Sequence, residues 1–273
     1  MVKLAIMYDF DQTLSPRSMQ EYSLLPALGA DPAAFWKEVG EYSRTHNMDS
    51  VLCYMYCLMQ KAREAGKPLT REFLNSLGKD LVYYPGVEEY FERINRYAQA
   101  KGVTLQHYII SSGTQEILEG SSIYHQFTRV FACQYHYDEN GEADWPATAI
   151  NYTGKTQFLY RINKNSLDVF DNSKINRKSV ERDIPFRNMI YIADGFTDVP
   201  CMVLVKNNGG YSIAVHEKDD ETYKQLVADK RVDYVSLADW RENSQLDQII
   251  KAIIDKIALQ HQLETFSVQD NLN

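Results

Sequence analysis

Two kinds of hydrophobic pattern alternate along this chain. The first is the short unbroken apolar run. Residues 3–8 (KLAIMY) carry one from Leu4 to Tyr8, and others occupy 105–110, 189–193, 211–215 and 234–237. Runs of this length without alternation predict parallel strands covered on both faces. The second is the helical stripe. Residues 87–100 (VEEYFERINRYAQA) follow Pro85-Gly86 as one amphipathic helix, and Leu246, Ile249, Ile250, Ile253 and Ile257 share one face of another near the C-terminus. The polar residues beyond that helix read as a frayed tail. Between 16 and 85 no strand pattern occurs. Asp31-Pro32, Asp49 and Thr70 read there as helix starts, and Gly66 and Gly78 as stops. Residues 131–150 predict a hairpin around Asn140-Gly141.

Strands alternating with helices imply an α/β fold: a three-layer, doubly wound parallel sheet with a helical insertion. The expected division is a core of 1–15 and 86–273 with a helical insertion of 16–85. A length of 273 residues accommodates both units.

Charge narrows the choice of function. A formal net charge of −8 argues against a general nucleic-acid or membrane-surface binder. No stretch approaches the roughly 18 apolar residues of a membrane span. The first apolar run is too brief for a signal peptide, and the four cysteines do not form a disulfide framework. A reducing cytoplasm is the expected setting.

In doubly wound sheets ligands bind beyond the carboxyl ends of the strands. The first strand is followed there by Asp9, Asp11 and Thr13, the second by Ser111, Ser112 and Gly113, and the third by Asp194 and Asp198. Carboxylates from separate strands would converge with hydroxyl and backbone N–H donors. Oxygen-only ligands of this kind suit Mg²⁺, which takes one or two carboxylates and a phosphate oxygen.

The ordered set LAIMYDFDQT, YIISSG, a lysine opening a helix at Lys155, and IYIADGFTD resembles the four motifs of the haloacid dehalogenase (HAD) superfamily, from Leu4 to Asp198. The resemblance implies a nucleophile at Asp9 and a general acid and base at Asp11. Ser111, Ser112, Gly113 and Lys155 would bind phosphate. Asp9, Asp11 (through its carbonyl), Asp194 and Asp198 would hold or support Mg²⁺. A true dehalogenase expels halide and needs no acid, so Asp11 favours the phosphatase branch. The insertion at 16–85 resembles the C1-type cap of phosphoserine-phosphatase-like enzymes. Those enzymes carry a glutamate where this chain has Ser18, with Glu21 one turn on, which argues against phosphoserine itself.

Other motifs fall short. Gly154-Lys155-Thr156 lacks the first glycine of a phosphate-binding loop, since position 149 is Ala. Cys57 and Arg63 have the spacing of a cysteine-phosphatase loop, but the glycine-free sequence between them is helix-forming. Cys133 and His136 point to opposite faces of a strand. Phe35, Trp36, Tyr54 and Tyr56 read as cap core. The expected function is Mg²⁺-dependent hydrolysis of a small phosphorylated metabolite through an aspartyl-phosphate. A phosphotransferase and a non-catalytic phosphate sensor are the competing readings, and the intact acid set speaks against the sensor. A homo-oligomer is compatible with the sequence.

Overall fold

The computed structural model describes residues 1–178, 182–219 and 221–266; the polar tail expected at 267–273 lies outside them. The chain opens with β1 (Val2–Tyr8) and then runs through α1 (Leu24–Ala27), α2 (Pro32–His46), α3 (Ser50–Glu64) and α4 (Arg71–Ser76). There follow α5 (Val87–Ala100), β2 (Val103–Thr114), α6 (Gln115–Glu119), β3 (Arg129–Tyr137) and β4 (Ala143–Thr148). Next are α7 (Thr153–Asn163), α8 (Asn172–Ile175), β5 (Met189–Ala193), α9 (Val199–Asn207) and β6 (Tyr211–His216). The described chain ends with α10 (Glu221–Ala228), β7 (Tyr234–Leu237) and α11 (Gln245–Thr265).

The seven strands form one sheet in the order β4-β3-β2-β1-β5-β6-β7. All neighbours pair parallel except β3 and β4. Burial explains the apolar runs. Leu4 to Tyr8 and all of β5 are buried, because helices cover both faces of the sheet. The Asn140-Gly141 hairpin forms, with Gly141 at φ +76° and the Asp138 carboxylate accepting the Asn140 and Glu142 N–H groups at 2.9 Å. Its first strand, β3, also extends the parallel sheet beside β2, a partner that local turn chemistry does not reveal.

The described elements between β1 and α5 are all helical. Asp31, Asp49 and Thr70 cap α2, α3 and α4 by accepting first-turn N–H groups. Gly78 departs from expectation. It lies inside the 3-10 turn Leu77–Asp80 rather than ending a helix. A Cβ there would lie 2.3 Å from the Ile117 carbonyl oxygen and 2.4 Å from the Gly120 carbonyl carbon. Glycine is needed because two backbones meet, not because a helix stops. Apolar residues of 16–85 and of the sheet belong to one continuous buried cluster. No helix among the described residues is long and apolar enough to cross a membrane.

Candidate active site

The site is assembled by strand register. Tyr8 pairs with Ile109 on one side of β1 and with Ile192 on the other. The Asp9 N–H continues the ladder by donating to the Ile192 carbonyl at 3.0 Å. Asp9 and Asp194 therefore leave the sheet at neighbouring strand ends, beside Ser111 in the last residues of β2. One carboxylate oxygen each from Asp9, Asp194 and Asp198 lies within 4.8 Å of the others. Gln12, at φ +58°, turns the chain back after Asp11, and the Asp11 carboxylate accepts the Met19 N–H at 2.8 Å.

Lys155 enters from the first turn of α7 and is fully buried. Its Nζ lies 2.8 Å from Asp198 Oδ1 and 3.3 Å from Asp9 Oδ1. Burial works against its charge, but Asp198 and Asp9 outweigh that cost and raise its pKa. The carboxylate pKa values are raised too, which in their case disfavours the charged form. Burial first, then the charge of Asp198, holds Asp9 well above the usual carboxylate range, with Lys155 only partly offsetting them. Asp194 is raised to about 7 by burial and by Asp198, against Lys155 and Thr13 Oγ1, which donates to Asp194 Oδ1 at 3.4 Å. Asp11 is raised to about 7, mainly by burial, although the Met19 N–H favours its anion. One buried lysine is too little positive charge for four clustered acids.

That imbalance, together with an all-oxygen donor set, is what a hard divalent cation would relieve. The residues present fit one. Asp198 is already bonded on both oxygens: Oδ1 accepts from Lys155 at 2.8 Å and Tyr191 at 2.5 Å, and Oδ2 from Thr197 at 2.8 Å. It suits a place behind the ligands, holding Lys155, better than a place among them.

The serine motif differs from its expected position. It lies within the last residues of β2 rather than after it, where the β2–β3 register shifts between Ile110 and Thr114. Ser111 Oγ accepts the Gly113 N–H at 3.0 Å. The Ser112 hydroxyl points away and donates to the Ile150 carbonyl at 2.7 Å, so only its backbone remains for a phosphate. Gly113 is covered by Met19, whose Cε would lie 2.1 Å from an added Cβ.

The remaining sequence alternatives separate in space. Cys57 is buried within α3, and burial pushes its thiol up to about 12. Cys133 is buried while His136 is exposed and pairs with Asp144 at 2.6 Å. Glu21, the acid near the Ser18 position, accepts the Trp36 indole N–H at 2.7 Å.

Sequence reasoning missed Tyr191, Tyr54 and Met19 as site neighbours. Tyr191 left a usable signal, since a tyrosine inside an apolar strand must place its hydroxyl on a partner, and here the partner is Asp198.

No protein-family model matches the chain. An uncharacterized protein of Borreliella burgdorferi is 28% identical over 285 residues, covering 94% of this chain and 97% of that one. Among solved structures, a HAD-family hydrolase from Salmonella enterica serovar Typhi is similar with a TM-score of 0.58 at 16% identity, over 91% of this chain and 70% of that one. A substrate-bound phosphoserine phosphatase is similar with a TM-score of 0.57 at 15% identity, over 92% and 99%. A phospho-aspartyl intermediate analogue of phosphoserine phosphatase gives 0.54 at 15% identity, over 92% and 99%. With strand order, helical insertion and strand-end carboxylates in place, the chain shares its fold with these solved HAD-family hydrolase and phosphoserine phosphatase structures.

Proposed function

We propose that the protein is a Mg²⁺-dependent phosphatase that hydrolyses a small phosphomonoester through an aspartyl-phosphate on Asp9. The observation that carries this reading is the convergence of the Asp9, Asp194 and Asp198 carboxylates within 4.8 Å around buried Lys155. Asp9 and Asp194, with the Asp11 carbonyl, would hold the cation, and Asp198 would stand behind them. When bound, Mg²⁺ offsets the charge that would repel a phosphate dianion from an acidic site.

The Asp9 carboxylate attacks phosphorus as the ester P–O bond breaks, and Asp11 gives its proton to the departing alkoxide. Asp11 then takes a proton from water, whose oxygen attacks the phosphorus and releases the Asp9 carboxylate. Ser111 donates to the phosphoryl oxygens, and Lys155 screens Asp9 from them. Residues 16–85 act as the cap that selects the leaving group. The engagement of Glu21 by Trp36 supports a leaving group other than one recognised through a free carboxylate at that position.

The test is a phosphatase screen over phosphorylated metabolites and an aryl phosphate, with Mg²⁺, with Ca²⁺ and with chelator. Turnover with Mg²⁺, poor turnover with Ca²⁺ and none in chelator is the expected pattern, because Ca²⁺ prefers higher coordination and looser geometry. Full activity in excess chelator would remove the metal from the mechanism.

A further inference from the structure

The hydroxyl of Ser111 is oriented from behind. Because Ser111 Oγ accepts the Gly113 N–H at 3.0 Å, its own proton is left to be given elsewhere. That N–H belongs to a peptide unit whose other end, the Ser112 carbonyl, takes two side-chain donors. Tyr54 Oη donates to it at 2.6 Å and Cys133 Sγ at 3.3 Å. Cys133 comes from the adjacent strand β3, whereas Tyr54 comes from α3, within the helical segment 16–85.

Both donors are buried. Burial, then Cys133 and Tyr135, keeps the Tyr54 hydroxyl well above its ordinary pKa, and burial pushes the Cys133 thiol up to about 11. Both protons therefore stay in place at neutral pH. The Tyr54 ring is itself fixed edge-on to Trp36, with centroids 5.8 Å apart, and Trp36 is tied to Glu21 at 2.7 Å. Donation to a carbonyl strengthens the N–H at the other end of the same peptide, since consecutive hydrogen bonds polarise one another.

We infer that Tyr54 is a positioning residue for Ser111: with Cys133 it pins and polarises the 112–113 peptide, so that the Gly113 N–H aims the Ser111 hydroxyl at the phosphoryl group. The seating of α3 and the affinity for phosphate are then one coupled quantity. The identity of the ligand rests on the phosphatase reading; the hydrogen-bond relay does not.

The experiment compares wild type with Tyr54→Phe, which keeps the ring against Trp36 and removes only the hydroxyl. Three readouts are taken: the Gly113 amide by ¹⁵N NMR and hydrogen exchange, the Kd for inorganic phosphate with Mg²⁺, and kcat and KM on the best ester. The relay requires a shifted, faster-exchanging Gly113 amide and a phosphate Kd weaker by roughly 3- to 10-fold, the range expected for one lost hydrogen bond. The kinetic loss falls on KM rather than kcat, a split that general loosening of the fold would not produce. Cys133→Ser, which retains a donor, stays closer to wild type than Cys133→Ala. An unmoved Gly113 amide or an unchanged phosphate Kd overturns the inference. If Tyr54→Phe fails to fold, Cys133→Ala removes the second donor and is judged by the same two readouts. A wild type that turns over no ester, yet whose Gly113 amide and phosphate Kd respond to Tyr54→Phe, upholds the relay and overturns the hydrolase reading instead.

Discussion

Replacing Lys155 by Met tests the electrostatic design of the site most directly. Methionine keeps much of the stem volume while removing the charge. The ammonium group is fully buried between Asp198 at 2.8 Å and Asp9 at 3.3 Å, so its loss leaves buried carboxylates without their cation. Removing one partner of a buried ion pair costs about 3–5 kcal/mol. In a chain of this size each kcal/mol lowers Tm by roughly 2–4 °C, so a fall of about 6–20 °C is expected for metal-free protein.

Two further arms separate charge from packing. In the double variant Lys155→Met with Asp198→Asn, one uncompensated charge is gone, so the combined cost falls below the sum of the single costs. Added Mg²⁺ stabilises Lys155→Met more than wild type, because the site has lost its internal cation and ligand binding adds RT ln(1 + [L]/Kd) to stability. Urea denaturation followed by fluorescence, with chelator and with Mg²⁺, reads all of these. A cost under about 1 kcal/mol for Lys155→Met, or strict additivity in the double variant, would refute the picture of a buried cation holding the acids together.

Asp9→Asn abolishes turnover and forms no phospho-enzyme. Asp11→Asn loses about 10²–10⁴-fold on alkyl esters and accumulates a hydroxylamine-sensitive adduct with an aryl phosphate, whose leaving group departs without a proton. Mass spectrometry of quenched samples maps the adduct, and any site but Asp9 refutes the proposed mechanism. Tyr191→Phe removes a 2.5 Å hydrogen bond to the buried Asp198 carboxylate and lowers stability by about 1.5–3 kcal/mol in urea titrations. Gly78→Ala drives a Cβ to within 2.3 Å of the Ile117 carbonyl oxygen, so it costs about 1–3 kcal/mol of stability, and an unchanged midpoint would show that the two backbones can separate.

The sequence by itself determined the strands and the acids at their ends. β1 from Leu4 onward and β5 are buried on both faces and are therefore unbroken apolar runs, and the first charged residues beyond them are Asp9 and Asp194. Asp31, Asp49 and Thr70 were readable as helix starts for a similar reason, since each cap bonds within three residues of itself. What tertiary structure decided is everything carried by contacts between distant segments. Lys155 is an ordinary first-turn lysine until α7 presses it between acids from β1 and from the turn after β5. Ser112 loses its hydroxyl to Ile150, 38 positions away, and its carbonyl to Tyr54, 58 positions away. Gly78 resembles a helix stop because local sequence holds no trace of the α6 backbone lying against it. Local rules fix which groups a strand end presents. Only the packed fold fixes which partner each buried donor, acceptor and charge finds, because leaving one without a partner costs more than any local preference supplies.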